Sequence, residues 1–199
     1  MSRNPWQVVP GEQLVELYQT SSLRDIVPKR SVVYSWRLSL RPPLGASTNG
    51  TTLTDWVDTL MALPLGAVEE TRVSHTLRIE SVQIRGGGLG EEKKRVLKAF
   101  LKARENRIWF LRYLESLGPI SLALYTGETG NLYSRVRQHL DGLSDFGAMI
   151  NGHSELSWEK LDLYYVDVGE PSESASKTRK LLEYITAVLT MSGFTKRPG

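Results

Sequence analysis

The chain has 199 residues, 40% of them hydrophobic, and a formal net charge of +3. That suffices for one sizeable core, or for a core carrying a large insertion. No stretch approaches the ~18 apolar residues of a membrane span, and the N-terminus lacks the apolar segment of a signal peptide. The chain has no cysteine, which excludes disulfides and cysteine-ligated zinc or iron–sulfur sites. The composition reads as that of a soluble, cytoplasmic protein. With His75, His139 and His153 scattered, any metal would be held by carboxylates, which favours magnesium or manganese.

Residues 1 to 10 read as a loose tail broken by Pro5 and Pro10. Leu14, Val15, Leu17 and Tyr18 make a short helical pattern within Gly11 to Leu23, ended by Asp25-Ile26-Val27-Pro28. Ser31 to Leu40 is a predicted strand: Val32, Tyr34, Trp36 and Leu38 share one period-2 face, and Arg41-Pro42-Pro43 stops it. Thr52 to Leu63 opens on cap-like threonines and carries Leu53, Trp56, Val57, Leu60 and Met61 at helical spacing. Arg72 to Arg85 alternates and reads as a strand or a bulged strand pair, with His75 half-buried on it. Gly86 to Gly90 lacks the Gly-Lys-Ser/Thr ending of a nucleotide-binding loop and reads as a hinge. Leu97, Phe100, Leu101, Arg104, Ile108, Leu111 and Leu114 then predict one amphipathic helix of about 25 residues, from Glu91 to Leu117, ended by Gly118-Pro119.

A second strand runs from Ile120 to Tyr125, breaks at Gly127 and Gly130, and becomes a helix from about Asn131. Glycines there let backbone N–H groups approach a ligand, and the helix N-terminus just downstream favours an anion. Arg135 and His139 are four apart, so they project from one helix face. Asp141 to Ser154 reads as a loop, Trp158 to Val168 as a third strand, and Ala175 to Met191 as a helix with Leu181, Leu182, Ile185, Val188 and Leu189 inward. Glu183 lies in that helix between apolar neighbours, where a carboxylate is costly unless a cation or donor meets it. Glu155, Glu159, Asp162 and Asp167 are lower-ranked alternatives. Basic residues cluster at Lys29, Arg30, Arg37 and Arg41, along Lys93 to Arg107, and at Arg135 and Arg137, a distribution that suits a polyanion.

The run Tyr125-Thr126-Gly127-Glu128-Thr129-Gly130-Asn131-Leu132, continuing to Arg135 and His139, resembles the second half of the GIY-YIG nuclease motif, with Thr126 where isoleucine is usual. Val27-Pro28-Lys29-Arg30-Ser31-Val32-Val33-Tyr34 resembles the family's first strand, with Val32 in place of glycine. In the family these strands commonly form a short hairpin, whereas Tyr34 and Tyr125 are 91 residues apart. Either a large insertion separates them, or the first tyrosine is Tyr113. The helical period across Tyr113 favours Tyr34.

The resemblance implies an α+β fold: a small antiparallel three-stranded sheet flanked by helices, built from residues 1–41 and 119–199, with 42–118 as an inserted helix-rich subdomain for DNA contact or dimerisation. It further implies a metal-dependent DNA endonuclease of restriction or defence type, acting on double-stranded DNA, with no membrane partner and with a homodimer where the target is palindromic. By that resemblance Glu183 would hold Mg2+ or Mn2+, Arg135 would neutralise the scissile phosphate, Tyr34 would be the general base, Tyr125 would position phosphate or water, and His139 would orient Tyr34 or share its proton. Arg37, Lys94, Lys98, Lys102, Asn131 and Arg137 are candidate DNA contacts. A non-catalytic nucleic-acid-binding module and a protein-interaction scaffold are the alternatives.

Overall fold

The computed structural model describes residues 5–42, 45, 48–68, 71–72, 78–79, 82–85, 87–121, 123–168, 176, 179–183 and 185–186. The protein is α+β. It divides into two compact units, one formed by Met1–Ser39 with Leu122–Gly199 and the other by Leu40–Ser121. Among the described residues no helix is long and apolar enough to cross a membrane.

The first unit is built on a four-stranded antiparallel sheet in which β1 (Gln7–Val9), β8 (Leu161–Asp167), β2 (Val32–Leu38) and β7 (Ala123–Thr129) lie in that order. The fourth strand, β1, comes from the segment expected to be a loose tail. Its three residues pair with the outer edge of β8, Val8 opposite Tyr164. Pro10 ends this strand and leads into α1 (Gly11–Gln19). β2 is central, and all seven of its residues are buried. Alternation sends Tyr34, Trp36 and Leu38 to one face and Val33, Ser35 and Arg37 to the other. Both faces are therefore covered, which the expected single apolar face did not anticipate. Tyr34 and Trp36 are wholly buried, and full burial of a large apolar side chain contributes about 1.5–3 kcal/mol.

Two helices cover the Tyr34 and Trp36 face. The first, α5 (Leu132–Leu140), is capped by Asn131, whose side chain accepts from the Ser134 N–H. The second, α6 (Asp145–Asn151), lies within the stretch expected to be a loop. Ser144 caps it, and Phe146 and Ile150, one turn apart, are both buried. Further along, residues 176, 179–183, 185 and 186 are helical, but Leu181, Leu182 and Ile185, expected to face inward, are exposed; the rest of the helix expected from Ala175 to Met191 lies outside the described residues.

The second unit contains α2 (Gly50–Ala62), capped by the side chain of Asn49 rather than by a threonine. It also contains β3 (Pro64–Val68) paired with β6 (Val82–Arg85), and β4 (Thr71–Arg72) paired with β5 (Arg78–Ile79). His75 lies outside the described residues. The long helix expected from Glu91 to Leu117 is two helices, α3 (Glu91–Phe100) and α4 (Arg104–Leu117). The chain turns at Leu101, which is wholly buried and packs against Gly50 at the start of α2. The carbonyls released by the break are met by Arg107, which donates to those of Leu101 and Lys102, and by Asn106, which donates to that of Phe100. Burial of one leucine thus ends a helix that contains no glycine or proline there.

Candidate active site

β2 and β7 pair so that Tyr34 faces Gly127 directly. A Cβ on residue 127 would stand 2.7 Å from the Tyr34 hydroxyl and 2.8 Å from its Cζ, so only glycine lets the phenol lie across β7. Tyr113, the alternative first tyrosine, is on α4 and stacks on Trp109 at 5.5 Å between ring centroids.

The Tyr34 hydroxyl lies 2.9 Å from Nε2 of His139 and accepts a hydrogen bond from Nε of Arg135 at 3.2 Å. Arg135 also donates to Tyr125 Oη at 3.5 Å and to Gln138 Oε1 at 3.1 Å. One turn of α5 separates Arg135 from His139, so both reach the same phenol from above the sheet. Phe146 stacks on Tyr125 at 4.6 Å and presents its ring edge-on to His139 at 5.6 Å. Trp36 and Trp158 close the base of this aromatic cage at 5.0 Å. α6 reaches it because residue 147 is glycine: a Cβ there would stand 2.3 Å from the His139 carbonyl oxygen.

Burial sets the protonation of the network. It pushes the Tyr34 phenol well above its ordinary pKa, with Tyr125 adding to the shift and Arg135 opposing it. Burial also pushes His139 down to about 3, and the Arg135 charge works in the same direction. At neutral pH the phenol keeps its proton and the imidazole is neutral. Burial works against the Arg135 charge, but Tyr34 and Tyr125 outweigh it and hold the guanidinium above its ordinary pKa.

Glu183 is half-buried on the C-terminal helical segment. Burial raises its proton affinity, the Glu128 charge raises it further, and Arg135 and Lys180 oppose. Glu128 itself receives Nε of Arg179 at 2.8 Å, and Arg179 also donates to Ser31 Oγ at 3.4 Å. Among the described residues no three His, Asp or Glu side chains are grouped as metal ligands. A cation here would therefore have Glu183 and water as its donors, a set that suits magnesium, which keeps most of its waters.

Tyr34, Tyr125, Arg135 and His139 thus form one hydrogen-bonded and aromatic cluster, and Glu183 lies within the field of Arg135. The expected DNA contacts are placed differently from one another. Arg37 is 4% exposed, on the opposite face of the sheet, with its guanidinium 5.4 Å from the centroid of the Tyr164 ring. Asn131 serves as the α5 cap. In the second unit, Lys94 and Lys98 bind Asp58 at 2.8 Å and Asp55 at 3.3 Å, joining α3 to α2. Lys102 is exposed at the end of that surface. Arg137 is exposed on the side of α5 away from Arg135, where the positive charges of Arg24 and Arg137 lower the pKa of the Tyr133 phenol. Arg24 and Lys29 lie 5.2 and 5.8 Å from the centroid of that ring.

No family model, curated protein or solved structure matches the chain. Three members of the site carried no recognised signal in the sequence: Ser144 and Phe146, in the supposed loop, and Arg179, which partners Glu128. A Ser-Asp pair followed by apolar residues at positions 146 and 150 is a helix start that could have revealed the first two.

Proposed function

We propose that the protein hydrolyses phosphodiester bonds in double-stranded DNA, as a divalent-metal-dependent endonuclease of the GIY-YIG type. The observation that carries this reading is the Tyr34–His139–Arg135 network, in which a fixed cation and a neutral imidazole meet one buried phenol. Four strands rather than three form the sheet; the three that matter to the resemblance, β2, β7 and β8, are adjacent.

Hydrolysis needs a water relieved of a proton and charge stabilisation on the phosphoryl oxygens. Arg135 offers a donor fork at the half-exposed rim of the cluster, suited to two phosphoryl oxygens. Tyr34 is protonated at rest, so it can take a proton from water only by giving up its own. His139 Nε2, at 2.9 Å, is the place for that proton. Burial and, secondarily, the Arg135 charge hold His139 neutral; a phosphate anion beside Arg135 offsets the second of these and raises the imidazole's proton affinity when substrate is bound. Glu183 would hold Mg2+ or Mn2+, which when bound supplies positive charge to a phosphoryl oxygen and to water. A half-buried carboxylate already strained by Glu128 is relieved by such a cation.

The biological reading is a restriction or defence nuclease, acting as a dimer on palindromic targets. Incubation of supercoiled plasmid with Mg2+, Mn2+ or chelator tests the chemistry. Metal-dependent nicking is expected, reduced about 10²- to 10³-fold by Arg135→Ala, and abolished by Glu183→Gln with folding intact. Cleavage that survives chelator and both substitutions refutes the reading. DNA binding without cleavage by any metal form would instead favour a non-catalytic module.

A further inference from the structure

Ser144 ends the loop between α5 and α6, and its Oγ accepts the Gly147 backbone N–H at 3.0 Å. The same oxygen lies 2.5 Å from Nδ1 of His139, a wholly buried ring. A neutral imidazole has one N–H and one lone pair, so its two nitrogens must take different roles. Tyr34 decides the assignment. Its hydroxyl oxygen already accepts from Arg135, and a guanidinium can only donate. The phenolic proton, wholly buried with its ring, needs an acceptor, and His139 Nε2 stands 2.9 Å away. Nε2 therefore offers the lone pair, and Nδ1 carries the proton toward Ser144.

We propose that Ser144 is a positioning residue that accepts the Nδ1 proton of His139 and so holds, together with Tyr34, the tautomer in which Nε2 stays the acceptor for the Tyr34 proton. The tautomer follows from the contacts of a neutral, wholly buried ring with Tyr34 and Ser144; its use in catalysis rests on the nuclease reading. In that reaction the water oxygen bonds to phosphorus while one of its protons passes to Tyr34 Oη. The Tyr34 proton moves to His139 Nε2. The bond from phosphorus to the leaving ester oxygen breaks with its electron pair on that oxygen, which takes a proton from bulk water. The resulting imidazolium still donates from Nδ1 to Ser144, whose lone pairs help to carry the new charge. With Nε2 protonated at rest, the same ring could accept nothing from Tyr34.

The variants that separate this role from simple capping are Ser144→Gly and Ser144→Thr. Glycine caps a helix nearly as well as serine but has no hydroxyl, and threonine keeps both functions. Nitrogen NMR of the 15N-histidine-labelled full chain, with His139→Gln used to assign the signal, reads the tautomer without substrate. The expected result is an Nδ1-protonated His139 in the natural protein and in Ser144→Thr, with the tautomer mixed or reversed in Ser144→Gly. In the plasmid assay Ser144→Gly should lower kcat by about 10- to 100-fold, taken by analogy from the outer partners of metal-bound imidazoles, with KM nearly unchanged. A proton on Nε2 in the natural protein, or an unchanged tautomer in Ser144→Gly, overturns the proposal. If the tautomer behaves as expected but no form of the protein cleaves DNA, the nuclease reading fails and the assignment of Ser144 stands.

Discussion

His139 should make the fold acid-labile by a calculable amount. In an unfolded chain an imidazole binds its proton near pH 6.5, whereas buried His139 is pushed down to about 3. Between those values the unfolded chain holds a proton that the folded protein refuses, so stability is complete above pH 6.5 and falls as the pH drops toward 3. The slope for one such group is about 1.4 kcal/mol per pH unit, and the whole interval amounts to roughly 5 kcal/mol. The ring is fully buried, so solvent screening takes little from this figure. Domains of ordinary stability have only about 5–15 kcal/mol to lose. His139→Gln removes the titration and keeps a polar side chain near Tyr34. Urea unfolding of both proteins from about pH 7.5 to about pH 4.5 gives the comparison, with the other carboxylates and histidines cancelling between them. At neutral pH the variant should be less stable by about 1–3 kcal/mol. That deficit should shrink by about 1.4 kcal/mol for each unit below pH 6.5, and vanish or reverse near the acid end. A deficit that stays constant across the series would show that His139 titrates normally and that the burial argument is wrong.

Gly127→Ala should force Tyr34 from its place, because the new methyl would stand 2.7 Å from the phenol oxygen. A cost of about 1–3 kcal/mol in stability is expected, together with loss of nuclease activity; normal values of both would refute the close approach. Arg179→Ala should cost about 2–3 kcal/mol by leaving Glu128 without its partner, less than for a fully buried pair because Glu128 keeps some solvent contact. Adding Glu128→Gln should recover part of that loss in thermal unfolding, and failure to do so would mean that the pair is not coupled. If Arg24 and Lys29 each meet a DNA phosphate beside Tyr133, replacing either with alanine should flatten the log–log salt dependence of binding by about 1. An unchanged slope would leave them as packing around the Tyr133 ring.

The strands that meet at the site were legible because β-branched and aromatic residues dominate Val32–Leu38 and because apolar and aromatic residues run through residues 161–166. Arg135 and His139 were legible as a pair because helical spacing alone puts them on one face. What escaped was decided by contacts distant in sequence. β1 is three residues long and gains its identity only by pairing with a strand more than 150 positions later. Gly147 weakens α6 as a local helix, yet its missing side chain lets that helix close on His139. The turn at Leu101 answers to the start of α2 rather than to any breaker in its own segment. Arg37 looked like a surface cation because a strand with one buried face would expose it; a sheet covered on both faces does not.

The order of the strands has a consequence for synthesis. Both partners of β2 lie C-terminal to it, and residues 39–122 intervene before even β7 is made. At about 5–20 residues per second, translation leaves β2 without a partner for roughly 4–17 seconds. Its sequence, Val-Val-Tyr-Ser-Trp-Arg-Leu, is a short, sticky, β-prone segment during that time. Arg37, with Lys29 and Arg30 just upstream, places positive charge in and beside that segment, and like charge opposes the pairing of two identical nascent strands.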